Sequence, residues 1–397
     1  MEMGLSPFNY RTKKLRGVKI APITYDVAIV GGGLAGLALA IQCARAGYVT
    51  LLFEKEDYPR HKVCGEYISN ESKPFLESLG VPLSNMSLPD IKRFMATDVY
   101  GNEYPFPLPL GGFGISRYQL DELLYQSALD AGVEVHTQEK VMNLHFTGKI
   151  FQIETDKGQY TAKMAAGSFG KRSNLDVKWQ RPFILKKAGK LQNFIGVKYH
   201  IKTNYPADLI ALHNFKDGYC GISQIEEGSV CLCYLTTAAH LKQNNNSIAA
   251  MEKAVLHVNP KLRQIFESAE FLYPEPLVIS QVSFAKKDMV ENHVLMLGDA
   301  AGMIPPLCGN GMSMALHSSK MAFEAMDLFA SQKISRTQME KGYAQTWKKQ
   351  FSKRLWMGRM VQRVFGQNRM TWFFLQCMQK MPFLSRVVIR STHGEVF

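Results

Sequence analysis

The sequence of 397 residues lacks any run of 18 or more uncharged apolar residues, which is the length that a membrane-spanning helix needs. Its first twenty residues are polar and basic without an apolar centre, so we expect no secretory signal there. The seven cysteines are odd in number and lack the spacing of a zinc site. We therefore expect reduced thiols, no metal and a cytoplasmic location.

Acidic residues are scarce in the last part of the chain. Residues 341–397 hold eleven lysines and arginines against one acid, Glu395, so this stretch supplies +10 of the net charge of +13. Aromatic residues such as Trp356 and Trp372 are interleaved with these cations. No nucleic-acid motif accompanies them, so we expect no nucleic-acid partner. Two interpretations stay open: peripheral binding to an anionic membrane, or a solvated helical face that packs on the body.

A glycine-rich turn near the start connects two apolar segments. The segment YDVAIV (25–30) predicts a buried strand, GGGLAG (31–36) a turn, and the alanine-rich residues after it a helix. A second apolar segment, VTLLFEK (49–55), contains Glu54, which follows the first glycine of the turn by 23 residues. This order and spacing are typical of a dinucleotide-binding unit.

Each glycine of the motif has a separate task in such a unit. Gly31 allows the tight turn, Gly33 lets backbone amides approach a pyrophosphate, and Gly36 lets helix and strand pack closely. The start of the helix, at Leu34 and Ala35, offers partial positive charge to the phosphates. Glu54 can accept hydrogen bonds from a ribose, although these features alone do not distinguish NAD from FAD.

A second motif lies far along the chain, in VLMLGDAAGMIPPLCGNGMSMAL (294–316). Gly298 and Asp299 end an apolar strand, and no second GxGxxG accompanies them. A long cofactor such as FAD would use both motifs, with Asp299 on the ribityl chain. The segment from Pro305 to Met312 would follow the isoalloxazine edge, where backbone amides and a helix dipole stabilise the reduced flavin.

These motifs together resemble the flavoprotein superfamily of para-hydroxybenzoate hydroxylase, geranylgeranyl reductases and flavin-dependent halogenases. The segments VAIVGGGLAGLALA, FEK, RHKVCGEYIS, ISRYQLDELL and the second motif stand in the order and spacing of that superfamily. The resemblance implies a glutathione-reductase-type, Rossmann-like α/β FAD-binding domain, an inserted β-sheet substrate domain and C-terminal helices. It also implies FAD as cofactor and NAD(P)H as electron donor.

The resemblance assigns cofactor contacts to particular positions. Arg60 and Lys62 would flank the adenosine and phosphates, and Arg117 would touch the phosphates from the start of its helix. For these three residues, ordinary surface salt bridges are the alternative. The full set of cofactor residues expected from both motifs and the resemblance is Gly31, Gly33, Leu34, Ala35, Gly36, Glu54, Lys55, Arg60, Lys62, Arg117, Gly298, Asp299, Gly309, Asn310, Gly311 and Met312.

Some segments depart from the superfamily pattern. Many hydroxylases carry an Asp-Gly pair where this chain has Ala166-Gly167, which weakens the case for NADPH binding in the usual manner. The halogenase pattern W-x-W-x-I-P is absent, so we do not expect halogenation. The segment CGE (64–66) is shared with reductase and halogenase-like members, and Cys64 is our candidate proton donor, with a buried structural thiol as the alternative. Glu66 would either hold FAD or cap the helix that follows Ser69.

The predicted layout is discontinuous. The FAD-binding domain comprises residues 1–88, 112–176 and 291–335, the substrate domain 89–111 and 177–290, and a basic helical region 336–397. Strands within 177–290 would form the floor of the substrate cavity. The face that carries Tyr219, Ser223 and Cys231 suits a hydrophobic ligand, and ordinary sheet core is the alternative.

Three reactions fit these predictions. Reduced FAD can activate O2 and insert oxygen into an aromatic or other hydrophobic substrate. It can instead deliver hydride to a prenyl double bond, with Cys64 as the acid, or pass electrons to a protein partner that docks on the basic tail. We favour oxygen insertion. A dehydrogenase that binds NAD alone is disfavoured, because it would leave Asp299 without a task.

Overall fold

The computed structural model describes residues 24–185, 192–392 and 394–397. Its strands group into two sheets, and each apolar segment named above forms a strand or a helix. The strands are β1 Thr24–Val30, β2 Thr50–Phe53, β3 Tyr67–Ser69, β4 Asp90–Thr97, β5 Glu103–Gly114, β6 Glu134–His136, β7 Val141–Phe146, β8 Phe151–Thr155, β9 Gln159–Gly167, β10 Gln192–Lys202, β11 Leu209–Phe215, β12 Gly218–Gln224, β13 Val230–Thr237, β14 Glu270–Phe271, β15 Leu277–Ser283, β16 Val290–Glu291 and β17 Val294–Met296.

Most of the longer helices lie early, after the glycine turn, or late, after the second motif. The helices are α1 Leu34–Arg45, α2 Lys73–Ser78, α3 Arg117–Asp130, α4 Asn174–Lys178, α5 Pro182–Leu185, α6 Ala238–Gln243, α7 Ile248–Met251, α8 Pro260–Ser268, α9 Gly311–Ala330, α10 Arg336–Val364, α11 Asn368–Lys380 and α12 Pro382–Thr392. Side chains cap several of them at their first turn. Ser116 accepts from the amide of Gln119 at the start of α3, and Ser335 forms a capping box with Gln338 at the start of α10.

The first sheet has the strand order β16-β17-β9-β1-β2-β6 and is parallel except for β16. The strands β7 and β8 continue it as an antiparallel meander next to β9. Strands β1 and β2 are almost continuously apolar because helices cover both faces of a parallel sheet. Helices α1, α3 and α9 pack together against this sheet. This arrangement is the predicted Rossmann-like layer.

The second sheet has the order β14-β10-β13-β12-β11-β4-β5-β3, with β15 paired to β10. It is antiparallel except for the parallel pair β11 and β4. Helices α10, α11 and α12 lie against it, and α10 also packs on α9 of the first layer. Strand β3 belongs to this sheet although it lies within residues 1–88, which the sequence assigns to the FAD-binding domain. The domain bounds stay a prediction.

The described residues therefore contain a Rossmann-like layer, a mainly antiparallel β-sheet and C-terminal helices, in agreement with the expected α/β architecture. Within these residues, no helix combines the length and the apolar character that crossing a bilayer demands. All seven cysteines are free thiols.

Candidate active site

The site lies where the parallel strands of the first sheet end. The last residues of β1, β2 and β9 are in register, with Val30 opposite both Phe53 and Gly167. Because the carboxyl ends of parallel strands share one edge, the loops after them meet there. These loops bring together Gly31, Glu54, Ser168 and Gly298, although 267 positions separate Gly31 from Gly298 in the sequence.

The three glycines of the turn differ in what surrounds them. Gly31 has a left-handed backbone (φ +104°), and a Cβ on it would lie 2.5 Å from the Ser168 carbonyl oxygen. A Cβ on Gly36 would lie 2.0 Å from the Gly31 carbonyl oxygen, so only glycine lets the helix approach the turn. A Cβ on Gly33 would meet no atom within 4 Å. The open space beside Gly33, at the start of α1, is where a pyrophosphate fits.

Glu54 is buried and holds the turn. Its carboxylate accepts from the amide of Gly32 at 2.9 Å and pairs with the Arg60 guanidinium at 2.8 Å. Burial alone would raise the pKa of Glu54, but Arg60 outweighs it and keeps the pKa below its usual value. The Nη1 atom of Arg60 is buried without a hydrogen-bond partner among the described residues. A bound ribose or phosphate would satisfy it.

A second group of charges lies at the start of α3. Arg117 binds Asp121 through two hydrogen bonds of 2.7 and 2.9 Å, and Lys62 reaches the same carboxylate at 2.5 Å. Lys62 is thus part of a buried network rather than a surface salt bridge. Lys55 was also predicted to contact the cofactor. Its side chain instead points outward after strand β2, where it is 64% exposed and pairs with Glu56.

An elongated cavity of about 290 Å³ extends from the glycine turn to the second sheet. It brings together most of the predicted cofactor residues, from both motifs and from Arg117. Those that line it are Gly33, Leu34, Ala35, Arg117, Gly298, Asp299, Gly309, Gly311 and Met312. Burial raises the pKa of Asp299 above its usual value, against the opposing charges of Lys287, Arg117 and Lys171.

Asn310 was predicted to contact the isoalloxazine, but its side chain does not line the cavity. Its side chain is fully buried, and its amide donates to the Thr392 carbonyl at the end of α12. The side chain therefore anchors the C-terminal helix to the start of α9. Its neighbours Gly309 and Gly311 line the cavity through their backbones, and Gly309 has the left-handed conformation (φ +67°) that a glycine accepts without strain.

Cys64 lies in the wall of the cavity, and its sulfur is 3.6 Å from that of Met312. Burial raises the pKa of the Cys64 thiol. The group is consequently protonated at neutral pH and can be a hydrogen-bond donor or a weak acid, but not a thiolate nucleophile.

Glu66 does not cap the helix after Ser69, and it lines the cavity together with Arg117. Its carboxylate accepts from the Arg117 amide at 2.7 Å, from His200 at 2.6 Å and from the Lys198 ammonium, so it joins the second sheet to α3. Burial would raise the pKa of Glu66, but His200 and Lys198 outweigh it and hold the pKa below its usual value. Cys231 lies within 4.8 Å of Glu66 and His200. The Lys198 ammonium already balances this carboxylate.

Alternate residues of β12 form one wall of the cavity. Tyr219, Gly221 and Ser223 face it, as expected from the period of two in a strand, and Ile222 also borders it. On the neighbouring strand the lining cysteine is Cys233 rather than Cys231, whose thiol donates to the Cys64 carbonyl. The floor that we predicted within 177–290 is therefore present, shifted by two residues on β13.

Several lining residues had no role in the sequence analysis. Ser168, Gly170 and Lys171 follow β9, and their position after the strand that carries Ala166-Gly167 was the available signal. Tyr67 and Met303 also line the cavity. Both lie within segments that carry the resemblance, and that position was the available signal.

The residues present fit an extended FAD. The open space beside Gly33 and the unsatisfied Arg60 Nη1 suit the pyrophosphate and adenosine, and the cavity continues from there past Asp299 to the turn at Gly309. A shorter nucleotide would leave the far end of this cavity without a ligand.

Comparisons with known proteins agree with this fit. The family model "FAD binding domain" matches residues 26–63. A 1H-pyrrole-2-carbonyl-[peptidyl-carrier protein] brominase of Pseudoalteromonas luteoviolacea is 22% identical, over 76% of this chain and 77% of its own. A kynurenine 3-monooxygenase of Flavobacterium psychrophilum is 24% identical, over 77% of this chain and 73% of its own.

Among solved structures, a geranylgeranyl bacteriochlorophyll reductase-like protein from Thermoplasma acidophilum has a TM-score of 0.69. It is 19% identical, and the alignment covers 94% of this chain and 92% of that one. This likeness confirms the predicted fold, including the inserted sheet and the C-terminal helices. The matched domain and these likenesses support the predicted resemblance to FAD-dependent oxidoreductases.

Proposed function

We propose that this protein is a flavin monooxygenase that hydroxylates a hydrophobic substrate, with NAD(P)H as the electron donor. One observation carries the proposal: the end of the cavity beyond Gly309 is walled by apolar side chains of the second sheet and of residues 303–306. Activation of O2 by a reduced flavin needs a site from which water is excluded. Apolar walls meet that need without any dedicated acid or base.

The chain's own residues would bind and orient the cofactor. Gly31, Gly33 and Gly36 shape the pyrophosphate site, Glu54 and Arg60 the ribose and adenosine site, and Asp299 the ribityl site. Bound FAD would accept two electrons from NAD(P)H and activate O2. The balanced reaction is substrate–H + O2 + NAD(P)H + H⁺ giving substrate–OH + H2O + NAD(P)⁺.

Reduction of a double bond is the second candidate, and Cys64 is the observation that favours it. Its thiol lies in the cavity wall and stays protonated, so a proton is available next to the cofactor site. In that reaction NAD(P)H and one proton add two hydrogen atoms across the bond, and no oxygen is consumed.

Product analysis separates these candidates. Purified holoenzyme, NAD(P)H and a panel of alkylphenols and prenylated quinones would be incubated in air, anaerobically, and in air with bromide. We expect a product that has gained one oxygen atom, formed only in air. A gain of two hydrogen atoms under anaerobic conditions would support the reductase instead, and incorporation of bromine would contradict both. Oxidation of NAD(P)H without any product would favour the electron-transfer alternative.

We also propose that the C-terminal helices bind an anionic membrane surface. On α11, Arg369, Trp372 and Phe373 follow the spacing of one helical face and are exposed, the two aromatic residues to 45% and 64%. On α12, Phe383 is 73% exposed and shares a face with Arg386. Exposed aromatics among cations suit the headgroup region of anionic lipids. A membrane-dissolved substrate would explain this surface.

A further inference from the structure

A buried ammonium group lies directly behind Asp299. Lys287 precedes strand β16, and its side chain is only 7% exposed. Its Nζ atom donates to the Asp299 carbonyl and to the Lys171 carbonyl, each at 2.7 Å. Both acceptor residues line the active-site cavity. One cation therefore joins the loop that follows β9 to the loop that follows β17.

An aromatic ring and a second buried cation surround Lys287. The Lys287 ammonium lies 4.5 Å from the centre of the Phe183 ring, which is the distance of a cation–π contact. The guanidinium of Arg181 lies 5.2 Å from the centre of the same ring, and it donates to the Ala300 carbonyl at 3.0 Å. Two buried cations consequently hold the consecutive carbonyl groups of Asp299 and Ala300.

These two cations differ in what balances their charge. Arg181 forms an ion pair of 2.8 Å with Asp176, whereas among the described residues no such pair joins Lys287 to a carboxylate. Burial lowers the pKa of the Lys287 ammonium to about 8, against the opposing charges of Asp299 and Asp176. The group is still mostly protonated at neutral pH.

Asp299 depends on this ammonium in turn. Burial raises the pKa of the Asp299 carboxyl, and Lys287 is the charge that opposes this rise most strongly, followed by Arg117 and Lys171. An ionised carboxylate accepts hydrogen bonds with all its lone pairs, and a charged acceptor binds a hydroxyl more strongly than a neutral one. A cation beside Asp299 therefore favours the form that binds hydroxyl groups.

We propose that Lys287 is a positioning residue for the flavin, which fixes the backbone at Asp299 and supplies the positive charge that balances its carboxylate. The carboxylate is then ready to accept from the ribityl hydroxyls. This proposal rests on the part of the proposed function that places the ribityl chain at Asp299. It is the same for hydroxylation and for reduction of a double bond.

The pH dependence of flavin binding tests the proposal without requiring turnover. The full-length apoprotein would be titrated with FAD at a series of pH values from 4.5 to 7.5, and quenching of the flavin fluorescence would give each dissociation constant. We expect wild-type affinity to rise with pH as Asp299 ionises, and Asp299→Asn to remove this rise. In Lys287→Met the midpoint should move to higher pH, on the order of one unit, because the main opposing charge is lost.

The neighbouring lysine provides a matched control. Lys286 is exposed, so Lys286→Met removes the same charge at the surface and is expected to leave the midpoint unchanged. Lys287→Arg keeps the buried charge and should retain the wild-type midpoint. If Lys287→Met does not fold, Lys287→Gln serves instead, since it keeps a hydrogen-bond donor without the charge and should show the same shift.

Three results would overturn the proposal. The first is a Lys287→Met protein that loses stability but keeps the wild-type midpoint, which is the result of a merely structural role. The second is an equal shift in Lys286→Met and Lys287→Met. The third is an Asp299→Asn protein that binds FAD as the wild type does at every pH, which would also refute the ribityl contact. Because these titrations measure binding alone, a failure of hydroxylation would leave their result standing.

Discussion

The two ends of the active-site cavity recognise their ligands in different ways. At the glycine turn, backbone amides, a helix start and the fixed pair of Glu54 and Arg60 would hold the cofactor. At the other end, apolar side chains from the second sheet and from residues 303–306 provide shape without charge. The first end is built from residues that are close in sequence. The second is assembled from distant segments, which makes it the part that can change between relatives that use the same cofactor.

Two glycines of the turn separate packing from ligand binding: Gly36 is needed for packing, and Gly33 lies beside the open space for the ligand. The packing variant is expected to have the largest effect. In Gly36→Val the added Cβ would lie 2.0 Å from the Gly31 carbonyl oxygen. The helix must move away, so we expect the free energy of unfolding of the apoprotein to fall by about 3 kcal/mol or more, at or above the upper end of the usual range for overpacking. Urea denaturation followed by circular dichroism measures this.

Gly33→Ala is the matched control, since its Cβ would meet no atom within 4 Å. We expect its free energy of unfolding to stay within about 1 kcal/mol of the wild type. FAD should nevertheless bind about 10- to 100-fold more weakly, because the methyl group occupies the space from which amides donate to the phosphates. Equal loss of stability in both variants would show that the turn is structural only.

The buried Glu66 tests how the two sheets are joined. Glu66→Gln removes the charge that balances Lys198 and weakens the hydrogen bond to His200, so we expect a loss of about 3–5 kcal/mol in the free energy of unfolding. Glu56→Gln, at an exposed position, should change it by less than about 0.5 kcal/mol. A loss below about 1 kcal/mol in Glu66→Gln would contradict the account of this cluster.

The same variant has a predicted pH dependence. The pKa of Glu66 in the folded protein lies below its usual value, so its contribution to stability is fully present above the unfolded-state pKa of about 4.3. That contribution is lost as the pH falls through the folded-state pKa. The difference in unfolding free energy between wild type and Glu66→Gln should therefore shrink as the pH falls below about 4. A difference that grows on acidification would refute this sign.

The proposed membrane surface can be tested apart from the active site. Trp372→Ala combined with Phe383→Ala removes two exposed aromatic side chains. We expect binding to anionic vesicles to weaken on the order of 100-fold, at about 1.5 kcal/mol for each side chain. Tyr100→Ala, which removes an aromatic that is 63% exposed in the turn between β4 and β5, is the control. Unchanged vesicle flotation of the double variant would remove the membrane proposal.

The smallest effect is expected at Cys64. If the protein is a monooxygenase, Cys64→Ala should lower the rate of hydroxylation by less than about tenfold, since the thiol is only part of the cavity wall. Loss of a general acid would cost about 100- to 10,000-fold. Cys233→Ala, at another lining position, is the matched control. A loss of that larger size at Cys64 alone would favour the reductase.

The sequence predicted the glycine-turn end well because its geometry is local. The strand, turn and helix at 24–45 and the acid at position 54 follow from hydrophobic period and glycine spacing, and the structure places them at one sheet edge. The second motif was harder. Gly309, Gly311 and Met312 line the cavity, but the fully buried Asn310 side chain is held by the end of α12, a partner 82 positions away that no local pattern indicates.

The apolar end could not be predicted in the same way. The contact between Glu66 and Lys198 spans 132 positions, and an apolar cavity of about 90 Å³ under the C-terminal helices combines residues of β4, β11 and three late helices. Phe374, Val388 and Tyr67 have the ordinary spacing of core residues. Only the packing of the C-terminal helices on the second sheet reveals that a cavity remains between them.

The central claim is that one extended flavin nucleotide lies between the glycine turn and Asp299. Calorimetric titration of the apoprotein with FAD and with riboflavin, which lacks the pyrophosphate and adenosine, tests it most directly in wild type, Gly33→Ala and Asp299→Ala. The account predicts that Asp299→Ala weakens both ligands, whereas Gly33→Ala weakens FAD alone. If Gly33→Ala affects both ligands equally, or if Asp299→Ala leaves the affinity for FAD unchanged, the claim is contradicted.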